Sequence, residues 1–532
     1  MSKVTQGFHL PEKINLIITG KLLDLAETLP KFQGGPISEL QSERETQHNL
    51  SKETYERTRP PEGTELDFVG FRMIEIVHYE DFAQVKAGIL RLFPDLNNSP
   101  RMDSFEQSFQ RFSESISWGG WMNLGMIYRD QKPLSSTPSC KIIELPPEVD
   151  VIIVGLYKSL PSLLTISFDV RLSKDATMKL RKLQEEMYLG EVRITAFNIK
   201  YGFLGLSLTS PDNAMQKRIL KWQEGLRGDV EKCVRKFVSG YFAVHNSGVT
   251  KLPTIEVYVL KGTTEKFTDF SSWAKAAWHW WSSQGFNFYS RPFSDGKILF
   301  NWSDRETEES SHAHRIIVIW ETYQKEHERG LGEPGRNSIM YQLSMGFLHS
   351  ITTPFAVHEY LRNSISRTEK LRSVIYSALN PNRLFWNSLS HKIQLYSKVQ
   401  DEKNILTRMV FEFEHQKQFL RGELKETNDL IALDIHSNAA NLDNNFETGI
   451  FSRIGYLQKL VVDHINFIDK TFSTHIEFEN IGALYKLQWI TLLLTMVALI
   501  ASIIGLAANW KEISQFLTSG VDFIKHIILI TK

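Results

Sequence analysis

Polar and small residues recur at alternating intervals of three and four within an apolar stretch near the C-terminus. The stretch, residues 487–510, holds no charged residue. A 3,4 alternation keeps its members on one face of an α-helix. That face, called the seam below, contains every polar side chain of the stretch and consists of Gln488, Thr491, Thr495, Ala498, Ser502, Gly505 and Asn509.

The seam admits two interpretations. Helices gain little by hiding leucine from lipid, so small and hydroxyl side chains mark close helix–helix contacts or contact with water. In the first interpretation the seam is a tight, non-conducting helix interface. In the second, several copies of the seam surround a hydrated pore with Asn509 at its mouth. Both require an oligomer or a second membrane helix.

Two groups of upstream side chains have the chemistry to bind a small nucleotide-like or anionic ligand. Trp278, Trp280 and Trp281 belong to an aromatic-rich stretch, 268–302, which suits either a base-stacking pocket or a packed core. Lys217 and Lys221 belong to a predicted helix over 211–237 that has more basic than acidic residues. This basic face suits either an anionic ligand or plain solvation.

The remaining candidate motifs for chemistry are weaker. His312 and His314 alternate before a predicted strand and form either a metal-binding pair or part of a solvated turn. The segment 330–335 matches GxGxxG, but no strand directly precedes it and Pro334 removes an amide, which favours a connector. No nucleophile elbow, Walker A motif or zincin HExxH is present. We therefore predict no enzyme, no catalytic residue, no metal site and no cofactor.

The seam must be positioned by a membrane-spanning helix over 487–510. At about 1.5 Å per residue, this stretch is about 36 Å long, which is enough to cross a bilayer. Trp489 and Trp510 stand near its ends, where interfacial aromatic residues belong. Residues 511–532 are predicted to form a short loop followed by a second helix. That helix either lies in the interface or completes a membrane hairpin.

Upstream of the span, the predicted fold changes from mixed to helical. Residues 1–66 form an N-terminal segment with a mobile polar loop, and 67–336 form an α+β domain. Runs rich in Ile, Val, Tyr and Phe predict its strands at 68–79, 149–157, 163–172, 191–197, 254–260, 297–302 and 315–320.

Residues 337–486 are predicted to form an all-α stalk in which the strand signal vanishes, with breaks near 380–381 and at 434–448. Ile454, Ile465 and Ile476 repeat at eleven residues, a period of a nearly straight helical seam. This repeat fits either a stalk interface between subunits or a helix packed within its own subunit.

The composition and the N-terminal sequence indicate the cellular location and the class of partner. Lys plus Arg equals Asp plus Glu at 61 each, so the charge balance predicts no nucleic-acid polymer as partner. The two cysteines, Cys140 and Cys233, provide no disulfide framework. The N-terminus lacks the apolar run of a signal peptide. We therefore expect a protein of the cell membrane with its bulk in the cytoplasm.

The order of these elements resembles the CorA-type metal-ion transporters. That family has a cytoplasmic α+β domain, a helical stalk, a pore-lining span, a short loop and a second span. Asn509 matches the Asn of the family's Gly-Met-Asn signature, whereas Ala507 and Ala508 stand in place of Gly-Met. The resemblance covers about the last 80 residues.

The resemblance implies a homo-oligomer, a pentamer in that family, that conducts ions through the membrane. Divergent CorA-like proteins also act as membrane effectors in bacterial antiviral defence, where a cytosolic domain senses a nucleotide signal. The leading hypothesis is therefore an oligomeric channel or pore-forming effector, gated by a ligand-sensing cytoplasmic domain. The alternative is a non-conducting, membrane-anchored binding or signalling protein.

Overall fold

The computed structural model describes most of the chain from residue 60 onward. The described residues are 60, 62–98, 105–114, 120–129, 139–185, 191–198, 203–209, 211–245, 252–263, 280, 293–302, 313–321, 339–379, 389–427, 429–432 and 445–530. Outside these residues lie 1–59 and 61 of the predicted N-terminal segment 1–66, His312, Trp278, Trp281 and the motif at 330–335.

A mixed sheet of ten strands dominates the described part of the chain. Its order is β12-β9-β10-β11-β8-β1-β5-β4-β2-β3, and β6 pairs with β7 separately. Most neighbours are antiparallel, but β11 runs parallel to β8 and β3 runs parallel to β2. The strands are β1 Glu65–His78, β2 Trp121–Tyr128, β3 Cys140–Ile142, β4 Val149–Leu160, β5 Leu163–Leu172, β6 Glu191–Asn198, β7 Phe203–Thr209, β8 Thr254–Lys261, β9 Phe293–Ser294, β10 Ile298–Asn301, β11 Ala313–Ile319 and β12 Ile431–Ala432.

The helices occupy the intervals between the strands and then most of the C-terminal part. Three 3-10 turns cover Tyr79–Asp81, Pro94–Asn98 and Leu424–Thr427. The α-helices are α1 Phe82–Leu92, α2 Phe105–Glu114, α3 Lys174–Glu185, α4 Pro211–Arg235, α5 Tyr241–His245, α6 Ile339–Met345, α7 Phe347–Leu379, α8 Leu389–Glu423, α9 Phe446–Ala508 and α10 Trp510–Ile530.

All seven predicted strands are present, with bounds that differ from the predictions by three residues or fewer. The order of a mixed α+β part followed by a helical part is confirmed. The expectation that no strand follows residue 336 is wrong, because Ile431 and Ala432 pair with Ser294 and Phe293 at the sheet edge. This short pairing uses backbone groups, so side-chain patterning does not reveal it.

Helices cover both faces of the central sheet. Phe71 and Arg72 are adjacent in β1 and therefore point to opposite faces. On the Arg72 face, the guanidinium reaches α6 and α7. On the Phe71 face lies Glu256, the cross-strand neighbour of Phe71, and its carboxylate contacts α4. Long β4, β5 and β8 are almost wholly buried, as continuous apolar strands between two helical layers should be.

The described residues divide into two compact units. One lies within 1–365 and 407–460, and the other within 366–406 and 461–532. The unit that holds the sheet thus includes α6 and the first part of α7, beyond residue 336. The predicted domain limits at 66, 336 and 486 are not tested by this division and stay predictions.

The second unit is helical and contains its own ionic contacts. Arg367 of α7 pairs with Glu402 of α8 at 2.8 Å, and Lys403 of α8 pairs with Asp469 of α9 at 2.6 Å. Ile465 and Ile468 of α9 are buried, as is Ile454 in the first unit. This part of the eleven-residue repeat is therefore buried within a single chain.

The predicted short loop after the span is wrong. Helix α10 begins two residues after the last residue of α9, and only Asn509 lies between them. The amide of Asn509 donates to Gly505, and the amide of Ile513 donates to Asn509. These are helical i to i−4 bonds. A single turn residue, and not a loop, therefore joins α9 to α10.

Candidate functional site

The seam lies on the C-terminal part of α9, except for Asn509, which directly follows the last residue of that helix. A segment of this helix, Leu484–Gly505, is long and apolar enough to cross a membrane, with a mean hydropathy of 2.2, and it is the one such segment among the described residues. None of its most apolar window is buried against the rest of the chain. Its polar side chains are therefore displayed on a single helix that leaves its whole surface open to lipid or to other helices.

The three hydroxyl groups of the seam are hydrogen-bonded within the helix. Thr491 donates to the carbonyl of Leu487 at 2.8 Å, Thr495 to that of Thr491 at 2.7 Å, and Ser502 to that of Ala498 at 2.8 Å. This bonding satisfies each hydroxyl donor without water or a partner helix. A hydroxyl oxygen still keeps acceptor capacity, so a second helix or a water molecule can bind the same face.

Of the candidate ligand-binding residues upstream of the span, the lysines are exposed and the described tryptophan is buried. Lys217 and Lys221 are exposed on α4, which agrees with both a solvated face and a surface for an anionic ligand. Trp280 is fully buried, as the core interpretation requires. Trp302, from the same aromatic-rich stretch, is also buried and packs against His314 and His358. The structure does not bring the two lysines together with Trp280 through any described contact.

His314 lies inside strand β11 and not in a solvated turn before it. Its Nε2 atom lies 3.0 Å from Oε1 of Glu359, which also contacts Nδ1 of His358 at 2.9 Å. Burial lowers the pKa of His314 despite the nearby carboxylate. Burial opposes ionisation of Glu359, but Arg362 and the histidines hold its pKa well below the usual range. Among the described residues, no group of three His, Cys, Asp or Glu is arranged to hold a metal ion.

Arg72 makes a bidentate ion pair inside the core. Its Nε and Nη2 atoms donate to the two carboxylate oxygens of Asp169 at 2.5 and 2.6 Å. Its Nη1 atom donates to the carbonyl of Leu348 and to the hydroxyl of Thr352. Arg72 is completely buried. Such a fully bonded guanidinium holds the sheet and two helices in one geometry.

A second buried cluster lies between α4 and the opposite face of the sheet. Glu256 accepts hydrogen bonds from Nη1 of Arg227 at 2.8 Å and from Nε of Arg315 at 2.9 Å. Tyr258 donates to the same carboxylate at 2.8 Å, and Gln223 donates to the Tyr258 hydroxyl at 2.7 Å. Burial opposes the ionisation of Glu256, but the two arginines lower its pKa. Two positive groups and one negative group leave this cluster with a net charge of +1.

The Arg227 cluster, defined as Gln223, Arg227, Glu256, Tyr258 and Arg315, is not fully hydrogen-bonded. The Nε and Nη2 atoms of Arg227 and the Oε1 atom of Gln223 are buried without a partner in the described part of the chain. A buried polar group left without a partner costs about 1–3 kcal/mol, and more when it is charged. Such groups are a minority in native structures, and a bound water molecule or ion is one explanation for them.

Sequence reasoning missed the Arg227 cluster, although a signal for it exists. Along α4 the buried apolar residues Met215, Ile219, Val230 and Val234 recur at helical spacing. Gln223 and Arg227 fall within that apolar stripe.

Glu75 is a further buried acid that the sequence reasoning did not single out. Its carboxylate accepts the backbone N–H groups of Ile76, Phe242 and Ala243 at 2.8 to 3.0 Å. Burial raises the pKa of Glu75 to about 7, although these backbone donors oppose the rise. The group therefore titrates near neutral pH.

Comparisons with known proteins identify no relative. The chain matches no family model, and neither the curated proteins nor the solved structures include a significant match to it. The functional interpretation therefore depends on the sequence and on the geometry described above.

Proposed function

We propose that this chain forms a homo-oligomeric, CorA-like membrane channel or pore-forming effector, controlled by its α+β part. The observation that carries the proposal is the confinement of every polar residue of the span to one face. A helix that only anchors a protein has no need of such a face, whereas helices that meet around a pore do. The metal-ion selectivity of the CorA family is not part of the proposal, since Ala507 and Ala508 replace the signature Gly-Met.

A second candidate is a non-conducting protein whose spans associate tightly along the seam. The intrahelical bonds of Thr491, Thr495 and Ser502 favour it, because their hydroxyl donors need no water. Ala498 and Gly505 would then allow close approach of the helix backbones. The soluble part would bind a ligand or partner while held at the bilayer.

Cysteine accessibility distinguishes the two candidates without knowledge of the activating ligand. Cys140 and Cys233 are the native cysteines, so both are first replaced by serine. Ser502→Cys and Ile503→Cys then place one thiol on the seam and one beside it. The reconstituted variants are treated with a charged, membrane-impermeant thiol reagent.

A hydrated pore predicts that the cysteine at position 502 reacts and that the one at 503 does not. A dry interface predicts that neither reacts with the charged reagent, while the 502 thiols form disulfides between chains under an oxidant. If the two variants behave alike both in the labelling and in the disulfide assay, both candidates are contradicted. Flux of ions or small dyes from liposomes is measured in parallel, and it must be sensitive to Ser502→Leu if the seam lines the pore.

A further inference from the structure

The buried edge of Arg227 has the same two donor atoms, Nε and Nη2, with which Arg72 binds a carboxylate. Arg72 presents its Nε and Nη2 atoms side by side to the two oxygens of Asp169. Arg227 uses Nη1 for Glu256, which leaves its own Nε and Nη2 atoms buried and without a hydrogen-bond partner among the described residues. Two parallel N–H groups of a guanidinium match the spacing of carboxylate and phosphate oxygens.

The acids near Arg227 in the described part of the chain do not supply the missing acceptor. Both oxygens of Glu256 are used by Arg227, Arg315 and Tyr258. Glu231, one turn along α4, accepts from Arg235 at 3.3 Å and from the amide of Leu252 at 3.3 Å. Within the described part of the chain, Arg227 thus keeps an unused bidentate donor edge.

We propose that the Arg227 cluster binds the oxyanion of a small ligand, a carboxylate or a phosphate group, through Nε and Nη2 of Arg227. Arg227 is only 2% exposed, so a bound oxyanion is shielded from water and its charge-assisted hydrogen bonds are strengthened. Gln223, one turn before Arg227, keeps a free acceptor in Oε1 for a donor group of the same ligand.

The site is inferred from side-chain geometry and does not require the chain to conduct. Only its role as the site of the gating ligand rests on the proposed function. It also differs from the exposed lysine face of α4, because Gln223 and Arg227 belong to the buried stripe of that helix.

The test uses full-length protein in detergent, with inorganic phosphate and acetate as probes at matched ionic strength. Affinity is taken from the rise of the unfolding temperature with anion concentration. Arg227→Lys keeps the positive charge and one bond to Glu256 but removes the bidentate edge. Arg218→Lys, on the exposed face of α4, is the matched control.

We expect wild-type protein and Arg218→Lys to bind at least one probe equally, and Arg227→Lys to bind it at least about tenfold more weakly, since losing a charged hydrogen bond costs that much or more. Whether phosphate or acetate binds more tightly identifies the ligand class. Unchanged affinity in Arg227→Lys overturns the proposal, as does a wild-type protein that binds neither probe at millimolar concentration.

Glu256→Gln provides a second test in case Arg227→Lys does not fold. This substitution raises the net charge of the cluster from +1 to +2, so affinity for the anion should increase. Unchanged or weaker affinity would argue against the site. If the protein binds the anion through Arg227 but shows no flux, the anion site is supported and the channel proposal is wrong. If the protein shows flux but Arg227→Lys binds the anion as wild type does, the channel is supported and the anion site is wrong.

Discussion

At the residue scale, the charged side chains inside the strands account for the most specific contacts of the fold. Arg72, Glu75, Asp169 and Glu256 each interrupt an apolar run in the sequence. A buried charge is tolerated only when it is paired or hydrogen-bonded. The structure supplies those partners from α4, α5, α6 and α7 and from neighbouring strands, so these residues specify how helices dock on the sheet.

Breaking the Arg72–Asp169 pair should destabilise the protein severely. Asp169→Asn leaves the buried guanidinium without its counter-charge, and such losses cost about 3–5 kcal/mol. The unfolding temperature of the detergent-solubilised protein, followed by circular dichroism, measures the effect. Asp229→Asn is the matched control, since Asp229 pairs with Lys232 on the exposed face of α4 and should change stability little. Similar effects of the two substitutions would show that the buried pair is not a major stabilising contact.

Glu75 should make stability fall as the pH rises toward neutrality. The folded protein raises the pKa of this carboxyl from 4.5 to about 7 and thus favours the protonated form. Its stabilising contribution is complete below about pH 4.5 and is lost as the pH rises through about 7, a change of about 3 kcal/mol.

The comparison that isolates Glu75 is the pH dependence of the unfolding temperature between pH 5 and 8 in wild type and Glu75→Gln. The slopes are compared and not the absolute values, since the amide has fewer acceptors for the three backbone N–H groups. Wild-type protein should lose more stability than the variant across this range. Parallel profiles would mean that Glu75 does not titrate there.

At the element scale, α9 has different surroundings along its length. Ile454, Val461, Ile465 and Ile468 are buried within the chain, whereas the segment from Leu484 onward is exposed all round. An exposed apolar helix gains stability only from lipid or from other helices. The sequence repeat marked the apolar face correctly, but only the packing of α7 and α8 shows which part of that face is covered within one chain.

Gly505→Leu should weaken self-association of the span. A Cβ atom built at Gly505 meets nothing within 4 Å in the single chain, so the larger side chain fits the monomer without strain. Leucine also favours a helix over glycine by about 1 kcal/mol. Any loss of the oligomer therefore reports on a neighbouring helix. The mass of the detergent-solubilised protein by light scattering measures it, with Ile504→Leu as the off-seam control.

The two candidate functions agree in this prediction, because both place the seam against other helices. An oligomer that persists in Gly505→Leu with unchanged mass would show that the seam is not the association face. A monomeric wild-type protein would exclude the homo-oligomeric pore directly.

The positions of strands in the sequence were easier to predict than the order in which the strands pair in the sheet. The Ile- and Val-rich runs of β4, β5 and β8 indicate buried strands regardless of order. Strand β2 escaped prediction because Asn123 and Gly125 interrupt its apolar pattern at a bulge. Gly125 has φ +144°, and a Cβ atom there would lie 2.3 Å from the carbonyl oxygen of Ser139. The bulge therefore requires glycine at this position, and the same glycine interrupts the apolar pattern by which a strand is predicted.

At the scale of the whole molecule, insertion of Leu484–Gly505 into a bilayer is the central expectation. The double substitution Leu494→Lys and Leu499→Lys places two charges near the middle of this segment, off the seam. Each costs about 2.5–3.5 kcal/mol in a membrane. We expect the variant to be released from membranes by alkaline carbonate, whereas the wild type should stay in the pellet.

Tyr456→Lys is the control for this extraction, since Tyr456 is an exposed apolar residue of α9 outside the span. It should stay in the pellet with the wild type. Retention of the double variant in the membrane would indicate an anchor elsewhere, with α10 as the first alternative to examine. That helix carries an Asp522–Lys525 pair and has one polar and one apolar face, which suits a position in the membrane–water interface.

The sequence alone determined the features that depend on local composition and period. These are seven strands of the α+β part, the helical C-terminal part, the apolar span and the polar seam from Gln488 to Asn509. Each follows from the residues within one element, because hydrophobic periodicity and length are local properties. The tertiary structure decided which distant elements share a face, and so whether a polar residue has a partner.

The Arg227 cluster shows the difference most clearly. Its members come from α4, β8 and β11, and no spacing in the sequence indicates that Arg227 and Arg315 share Glu256. The sequence also does not show that one edge of Arg227 is left without an acceptor. Hydrogen bonding between elements distant in the chain depends on strand order and helix docking, which only the folded chain establishes.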